Sequence, residues 1–558
     1  MDPVRFNLIV RALESIPSEM SINMLKAAYS SIVREAKDLS TALFDPEGNA
    51  VVQAEQIPIL VAALSSALGY VIEKHPLDTW EADDCIITND PYHGGQHLND
   101  IALFAPIFKG GKRVGIAGSI AHHLDLGGIE PGIIGSATEI FHDGLLFPRI
   151  KFKLLDGKLD PIIEQILKSN VRVPRETYGD LQAQIVANRT AESRLLAIMK
   201  KFGSLDVFDV MKGLQDYSEK LTRKEIDSFP NGEWSGEAKI DDDSQGNGPF
   251  TVRVNVKIKD SDLFVDYRNS DEKAKGTINC PYASTLAATY TAIRQVVNTR
   301  VYVPANDGST RPIIVDAPLG SIVNPTPPAS VHARFITAYR CYEAVMDALS
   351  KAVPNRTTAV GFNSTFCLAL SQITEDGYKI MSETTAGGWG AGPKNDGADA
   401  LPLPLSNCSN VPAEWIENQF PYLRVTRYEM INDSCGHGRQ RGGLGELKEY
   451  EILMDGINYS GMCDRFIHPA KGILGGTDSA KGELKIIRKG KEINLPSKTS
   501  FALKKGDLVR IITGGGGGYG SPNKRKIELL KRDIKQGIIS KKIARNIYNF
   551  DYDKHIKK

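Results

Sequence analysis

Apolar residues near the start of the chain recur at the spacing of one helical face. One such run extends from Leu8 to Ile16, and a second extends from Ile22 to about Lys37. Apolar positions three and four residues apart are typical of a helix with one buried side. Because Pro17 lies between the two runs and proline interrupts helical hydrogen bonds, the pattern predicts two separate helices.

The pattern changes to an alternation of strands, a helix and loops after residue 40. Residues 41–55 alternate around the turn DPEG and predict a β-hairpin, and residues 61–75 predict a helix. Three strand-like runs follow over 86–90, 101–109 and 113–123, separated by polar, glycine-rich loops. Polar residues in this segment therefore stand at strand ends and in loops, where functional groups concentrate.

Helical and extended patterns continue to alternate toward the C-terminal part. Residues 160–225 have a helical pattern, residues 233–270 contain alternating strand-like runs, and helical runs return over 283–299 and 334–352. Residues 358–520 are rich in glycine and in strand-like runs. The sequence therefore predicts a mixed α/β (α+β) fold with mixed and antiparallel sheets, helical segments and glycine-rich loops.

The length of 558 residues predicts a large multidomain chain, at roughly 100–200 residues per domain. We place the boundaries where pattern and composition change along the chain. The predicted division is an N-terminal α/β region with metal-site motifs over 1–160, a helical segment over 161–230, an α+β middle domain over 231–357, a glycine-rich, β-rich domain over 358–521 and a basic helical tail over 522–558.

Charge and hydropathy argue against several broad classes of protein. Lys and Arg number 68 against 67 Asp and Glu, a balance that disfavours a dedicated nucleic-acid binder. The first residues include acidic side chains without a long apolar core, unlike a signal peptide, and no run of about 18 apolar residues predicts a membrane span. The seven cysteines are scattered without a CxxC pair, which indicates free thiols in a reducing compartment. We expect a cytoplasmic enzyme, or part of one.

The C-terminal tail has a basic excess that needs a separate interpretation. Residues 522–558 carry twelve Lys or Arg and four acidic side chains. A basic tail is compatible with nucleic-acid or membrane binding. Because apolar residues recur through the same segment, for example at Ile527, Leu530, Ile534 and Ile538, we favour a packed helical pair with a solvated basic side.

Histidine and aspartate side chains concentrate between residues 88 and 128. A hairpin over 101–121 would bring the string HHLD back beside the string HLND. Residue types and topology together predict a metal site of two histidines and one carboxylate. On sequence alone, hydrogen-bonded polar residues at a domain interface stay open as the alternative. The cluster consists of His93, His97, His122, His123, Asp90, Asp100 and Asp125.

The spacing within this cluster suits one shared cation. His97 and Asp100 are three residues apart in a loop that follows two glycines, so a single turn can direct both at one ion. His122 and His123 point to opposite faces of a strand, so one of the two is expected to be a ligand. Imidazole with carboxylate favours Mn, Fe, Co or Zn, and such an ion polarises a carbonyl or lowers the pKa of a bound water.

The glycine-rich string TGGGGGYGSP over 513–522 invites comparison with phosphate-binding loops. It lacks the Lys-Ser/Thr ending of a P-loop, and it does not lie between a strand and a helix of a βαβ unit. A tight turn or a close approach of two backbones is therefore the favoured interpretation. The glycine-rich strings over 383–399 and 433–446 are either ligand-lining loops or structural bends. The sequence predicts no self-contained nucleotide site.

Taken in order, these motifs resemble the hydantoinase B/oxoprolinase family over nearly the whole chain. The family includes the B subunit of ATP-dependent N-methylhydantoinases, the C-terminal half of 5-oxoprolinase, and subunits of acetone and acetophenone carboxylases. The matching strings are LFDPEGNAVVQAEQIP (43–58), TNDPYHGGQHLNDIALF (88–104), HHLDLGG (122–128), GDLQAQIVANR (179–189), INCPYAST (278–285), NPTPPASVHAR (324–334), ETTAGGWGAGPKNDG (383–397), DSCGHGRQRGGLG (433–445) and TGGGGGYGSP (513–522).

The resemblance implies a metal centre on the residues already singled out. His97, Asp100 and His122 would hold the ion, with His123 and Asp125 alongside. In related carboxylases the ion is manganese, and zinc or iron is also compatible. The resemblance further implies a partner, an A-type subunit with an actin-like ATPase fold. ATP would bind to that partner, which accounts for the missing nucleotide motif.

The same resemblance leads to one principal functional hypothesis and two alternatives. The principal hypothesis is the B subunit of an ATP-dependent cyclic-amide hydrolase acting on hydantoin, N-methylhydantoin, 5-oxoproline or a related lactam. Metal-held water would attack an amide that the partner has activated by phosphorylation, while Asp125 orients a histidine or accepts a proton. The alternatives are a subunit of an ATP-dependent ketone carboxylase and a non-catalytic scaffold for the ATPase subunit.

One position departs from the family pattern. Many members have a histidine after the string that reads IPI here, whereas this chain has Leu60. We hypothesise that Leu60 alters the choice of substrate.

Overall fold

The computed structural model describes residues 2–54, 56–402 and 404–556. The helices of these residues are α1 (Pro3–Ala27), α2 (Ser31–Arg34), α3 (Pro58–Lys74), α4 (Ile140–Asp143), α5 (Pro161–Asn170), α6 (Pro174–Phe202), α7 (Ser204–Asp227), α8 (Tyr282–Val297), α9 (Asp307–Thr310), α10 (Arg334–Ala352), α11 (Ala413–Gln419), α12 (Ile527–Lys535), α13 (Lys541–Tyr548) and α14 (Tyr552–Ile556).

The strands form four sheets. They are β1 (Leu39–Phe44), β2 (Ala50–Ala54), β3 (Asp84–Thr88), β4 (Asp100–Lys109), β5 (Lys112–His122), β6 (Ile150–Lys153), β7 (Gly232–Ile240), β8 (Phe250–Lys259), β9 (Asp262–Asp266), β10 (Ile313–Asp316), β11 (Phe366–Thr374), β12 (Gly377–Thr385), β13 (Leu423–Met430), β14 (Glu446–Ile452), β15 (Ile457–Met462), β16 (Glu483–Arg488), β17 (Lys491–Leu495), β18 (Lys498–Ala502) and β19 (Leu508–Ile512).

The first helix is longer than the sequence pattern predicts. Helix α1 continues through Pro17 as far as Ala27, so the predicted interruption at this proline is wrong. Its apolar face is continuous and buried, from Ile9 to Met24, and it packs against α6. The carbonyl oxygen of Pro17 accepts a hydrogen bond from Thr41 Oγ1 at 2.7 Å. Tertiary packing thus outweighs the local cost of the proline.

The N-terminal sheet has the strand order β2-β1-β5-β4-β3-β6, and all its pairs are antiparallel. The predicted hairpins β1–β2 and β4–β5 are both present, and α3 follows where a helix was predicted. Strand β4 begins at Asp100 and β5 ends at His122, and the register places these two residues directly opposite each other. Two candidate ligands therefore meet at one end of a long hairpin.

The remaining sheets confirm the predicted mixed fold class. The sheet β10-β9-β8-β7 contains one parallel pair, β9–β10, whereas the sheets β12-β11-β15-β18 and β13-β14-β19-β16-β17 are antiparallel. The largest of four apolar clusters among the described residues draws side chains from Ile9 to Met462 and joins the N-terminal sheet to α8, α10 and β11. The division into domains at the predicted boundaries stays a prediction.

The glycine run after β19 is a packing element. The amides of Gly516, Gly517 and Gly518 donate to the carbonyl oxygens of Gly443, Val360 and Thr477 at 2.9, 2.7 and 3.0 Å. Amides paired in this way are not available to bind phosphate, so the structure supports the close backbone approach predicted from the sequence.

The basic tail folds back as the predicted helical pair. Helices α12 and α13 enclose a small apolar cluster that includes Leu530, Ala544 and Tyr548. The buried side chain of Arg525 connects the tail to the rest of the protein through Asp396 at 2.8 Å, and it also contacts Asp533. None of the helices in the part of the chain that the structure describes is both long and apolar enough to cross a bilayer.

Candidate metal centre

Three side chains converge at the open end of the β4–β5 hairpin. His97 Nε2 lies 3.1 Å from Asp100 Oδ1, His122 Nδ1 lies 3.4 Å from the same oxygen, and the two nitrogens are 3.1 Å apart. All three side chains are largely buried. Two ligands that are each about 2.1 Å from a tetrahedral ion are separated by about 3.4 Å. The spacing therefore fits three ligands of one cation.

The loop between β3 and β4 holds His97 in place through buried amide side chains. Asn89 Nδ2 donates to the carbonyl oxygen of Leu98 at 2.7 Å, and Gln96 Nε2 donates to that of Ile59 at the start of α3. Gly94 adopts a positive φ of 84°, and an added Cβ would lie 2.7 Å from Ala67 Cα. The glycine thus permits the loop to approach α3 closely.

Arg334, the first residue of α10, pairs with the outer oxygen of Asp100. Its Nη2 contacts Asp100 Oδ2, which leaves Oδ1 facing His97 and His122. Although burial opposes the effect, His97 and Arg334 hold the pKa of Asp100 well below its ordinary value. Asp100 is therefore a carboxylate in the folded protein, with one oxygen directed at the two imidazoles.

Burial and neighbouring charges shift the pKa values of the two histidines in opposite directions. Burial lowers the pKa of His97 to about 4, so this imidazole is neutral and has a lone pair available for a metal. For His122, burial works in the opposite direction to the Asp100 hydrogen bond and the Asp38 charge, and the net effect is a raised pKa. A bound cation would replace the proton that His122 attracts.

Three further residues that the sequence did not assign line the same cavity: Asp38, His332 and Arg334. The cavity has a volume of about 70 Å³, and its other wall is mostly apolar, with Leu60 among the lining residues. His332 and Arg334 belong to the string NPTPPASVHAR, which the sequence marked as a motif without a role. Asp38 precedes β1 and belongs to no motif, so no local signal identified it.

Asp38 adds a second carboxyl group to the cavity. Its backbone oxygen accepts from the amide of His122 at 3.1 Å, which places it beside the end of β5. Burial raises the pKa of Asp38 to about 6, against the opposing charge of His122. When both carboxyl groups are ionised, Asp38 and Asp100 carry two negative charges, and Arg334 carries one fixed positive charge. This imbalance favours a cation.

The other predicted residues lie outside the cluster of ligand atoms. His123 faces the opposite side of the sheet, where its Nε2 is 3.0 Å from Gln184 Oε1. Asp125 accepts hydrogen bonds from the amides of Gly127, Gly132 and Arg172 at 3.0, 3.2 and 3.0 Å, and pairs with the Arg172 side chain at 3.1 Å. His93 pairs with Asp90 at 2.8 Å. These groups organise the loops around the site.

Unpartnered polar atoms indicate that the site is built for a ligand. Among the residues described, Asp100 Oδ1, His97 Nδ1 and both ring nitrogens of His332 are buried without a hydrogen bond of acceptable geometry. A buried polar atom without a partner costs about 1–3 kcal/mol. The donor set of two imidazoles and a carboxylate suits Mn²⁺, Fe²⁺ or Zn²⁺. The residues present therefore fit a divalent cation.

Comparison with known proteins gives consistent matches over the whole chain. A family profile described as Hydantoinase B/oxoprolinase matches residues 2–522. A Pseudomonas sp. (strain NS671) protein, provisionally named as the B subunit of a D-/L-hydantoinase, is 32% identical, with 98% of this chain and 94% of that protein covered. The crystal structure of ATP-dependent caprolactamase from Pseudomonas jessenii superimposes with a TM-score of 0.91 at 26% identity, covering 99% of this chain and 98% of that one.

A second solved structure shares the fold at lower sequence similarity. It is a nucleotide-free acetone carboxylase, with a TM-score of 0.88 and 18% identity over 98% of this chain and 79% of that one. At this level of identity the likeness concerns the fold alone.

Proposed function

The chain belongs to the hydantoinase B/oxoprolinase family, and from that premise we propose that it is the B-type subunit of an ATP-dependent cyclic-amide hydrolase. The observation that carries the proposal is the buried cluster of His97, Asp100 and His122 at the wall of a small cavity. Its support from relatives is the hydantoinase and caprolactamase names of proteins that match this chain over nearly their full length.

The proposed division of labour assigns ATP to a partner subunit. Two relatives that match over nearly their full length are named as subunits, and the caprolactamase is named as ATP-dependent. In this chain the amides of Gly516, Gly517 and Gly518 are already paired with backbone carbonyl oxygens. We therefore assign phosphorylation of the substrate to an A-type ATPase subunit.

Within this chain, each group at the site has a distinct task. His97, Asp100 and His122 would hold a divalent cation, with manganese as the first candidate and zinc or iron as alternatives. Such a cation supplies Lewis-acid chemistry and lowers the pKa of a bound water. Arg334 fixes the orientation of Asp100, and Asp38 adds negative charge on the cavity side. The apolar wall excludes bulk water from the activated amide.

The decisive test of this function uses the complete complex. The chain is co-expressed with an A-type subunit, its metal content is determined by elemental analysis, and ATP hydrolysis is followed with hydantoins, 5-oxoproline and simple lactams. We expect a stoichiometric divalent metal and ATP consumption coupled to ring opening. A complex without stoichiometric metal, or one that hydrolyses no cyclic amide, would contradict the proposal.

A ketone carboxylase is the second candidate, because the family that the sequence motifs resemble includes subunits of acetone and acetophenone carboxylases. The same assay separates the two reactions, because a carboxylase consumes ketone only when bicarbonate is present. Ketone consumption that depends on bicarbonate, with cyclic amides left intact, would establish the alternative.

Leu60 offers a separate test of substrate choice because it lies on the apolar wall of the cavity and is 1% exposed. We expect Leu60→His to favour substrates with a second polar ring group, such as hydantoin over 2-pyrrolidinone. The ratio of their kcat/KM values should change by about tenfold or more. A buried polar side chain favours the substrate that forms a hydrogen bond with it over the substrate that leaves it unpaired. Leu60→Met, which keeps volume and polarity, is the control. An unchanged ratio in Leu60→His would count against this role.

A further inference from the structure

His332 is a buried histidine for which the described residues provide no polar partner. It is 1% exposed, and neither Nδ1 nor Nε2 makes a hydrogen bond. Its ring lines the cavity beside the metal cluster and meets the ring of His97 edge-on, with the centroids 5.5 Å apart. Buried polar groups are almost always paired, so an exception in a cavity wall points to a ligand.

The backbone that carries His332 is held on both sides by hydrogen bonds. Asp143 accepts from Ser330 Oγ at 2.6 Å and from the amide of Val331 at 2.9 Å. On the C-terminal side of His332, the amide of Ala333 donates to the carbonyl oxygen and Oγ1 of Thr277 at 3.0 and 3.1 Å. Because the loop is anchored on both sides, the fold itself places the unpaired ring nitrogens of His332 at the cavity.

The geometry separates His332 from the cation ligands. The ligand atoms of His97, Asp100 and His122 lie within 4.8 Å of one another, and His332 is not part of that group. A neutral imidazole presents one N–H donor and one lone pair, which match the carbonyl oxygen and the N–H of an amide.

We propose that His332 contacts the substrate directly, with a ring nitrogen hydrogen-bonded to the amide group of a cyclic amide bound in this cavity. This assignment rests on the proposed function, because that function places an amide beside the metal cluster. Asp143 is then a positioning residue, which acts through Ser330 and Val331. The substrate class implied is a small ring with one polar edge toward His332 and an apolar body toward the wall.

The test replaces the imidazole with a ring of similar shape that has no polar atoms. His332→Phe is expected to keep the metal content and the Mn²⁺ affinity of the chain unchanged within about twofold. It should retain or raise the melting temperature, because it removes an unpaired buried group. In the complex with the ATPase subunit, kcat/KM for hydantoin or 5-oxoproline should fall about 100-fold, with partial recovery in His332→Gln.

A matched control is another buried histidine that does have a partner. His437 Nδ1 lies 3.2 Å from the hydroxyl oxygen of Tyr548, in the glycine-rich region and outside the cavity lining. His437→Phe should lower the melting temperature while leaving KM for hydantoin unchanged. For His332→Phe, a retained or raised melting temperature together with a lower kcat/KM identifies a contact with substrate. A merely structural role would move stability and leave KM and kcat alone.

Binding measured without ATP separates this inference from the proposed function. Calorimetric titration of the complex with hydantoin and with 5-oxoproline should show binding that weakens at least about tenfold in His332→Phe. If the wild type binds a probe with that dependence and opens no ring, the contact stands and the hydrolase proposal fails. Loss of metal in His332→Phe, an unchanged affinity and kcat/KM, or no binding of either probe by the wild type would each overturn the contact.

Discussion

His97→Ala is expected to release the divalent metal from the protein and to abolish turnover by the complex while the chain stays folded. His97 Nε2 lies within 3.1 Å of both Asp100 Oδ1 and His122 Nδ1, so its removal takes away one of the three ligands that converge. Changing an outer partner of a metal ligand costs roughly 10–100-fold in affinity or activity, and loss of a ligand costs more. We therefore expect kcat to fall by more than about 100-fold.

The measurement pairs elemental analysis with steady-state kinetics of the complex. His93→Ala is the matched control, because His93 lies in the same loop, pairs with Asp90 and has a side chain that is 44% exposed. This control should keep its metal and its rate. Full turnover by His97→Ala would remove the metal centre from the mechanism, whereas loss of turnover with an intact complex would exclude the scaffold alternative.

Asp100→Asn tests the electrostatic part of the same site. This substitution removes the charge that Arg334 and the two histidines share, and leaves the Arg334 guanidinium buried without a carboxylate. Removing one member of a buried pair is strongly destabilising, by about 3–5 kcal/mol. We expect loss of metal together with a lower melting temperature, in contrast to His97→Ala, where the Arg334–Asp100 pair survives.

The convergence of the three candidate ligands could be predicted because its geometry is local. A three-residue spacing brings His97 next to Asp100, and one hairpin brings His122 opposite Asp100. Strand alternation also predicted that only one of His122 and His123 faces the site. These inferences need only the period of a strand and the closure of one turn.

The other cavity residues could not be predicted because they arrive from distant parts of the chain. Arg334 reaches Asp100 across 234 positions in the sequence, and His332 comes with it on the loop before α10. Asp38 stands alone before β1. No periodicity encodes such contacts, which depend on how α10 and the β11–β12 sheet pack onto the N-terminal sheet. Asp125 shows the converse case: its motif position suggested chemistry, its oxygens accept hydrogen bonds from loop amides, and its catalytic role stays a prediction.

Gly516→Ala is expected to disrupt folding of the chain through a single added methyl group. An added Cβ would lie 2.0 Å from the carbonyl oxygen and 2.3 Å from the carbonyl carbon of Trp389, and 2.7 Å from the amide nitrogen of Gly390. These atoms are backbone and cannot rotate away. Overpacking a well-packed interior costs about 1–3 kcal/mol and occasionally more, and the backbone overlap here puts Gly516→Ala at the upper end.

Gly69→Ala is the matched control, because it adds the same methyl group where nothing lies within 4 Å. Gly69 is exposed within α3, and alanine there should stabilise the helix by about 0.5–1 kcal/mol. Differential scanning calorimetry should therefore show a lower melting temperature, or no recoverable folded protein, for Gly516→Ala and an equal or higher value for Gly69→Ala.

The same pair of variants discriminates between the two interpretations of the glycine run. A phosphate-binding loop would keep its amides free, so Gly516→Ala would lower phosphate affinity while sparing the fold. In a packing element the amides of Gly516, Gly517 and Gly518 hold Gly443, Val360 and Thr477, and the variant should fail as a folded protein. A stable Gly516→Ala protein with weakened binding of inorganic phosphate would overturn the packing interpretation. That result would also favour ATP binding by this chain and contradict the assignment of ATP to a partner subunit.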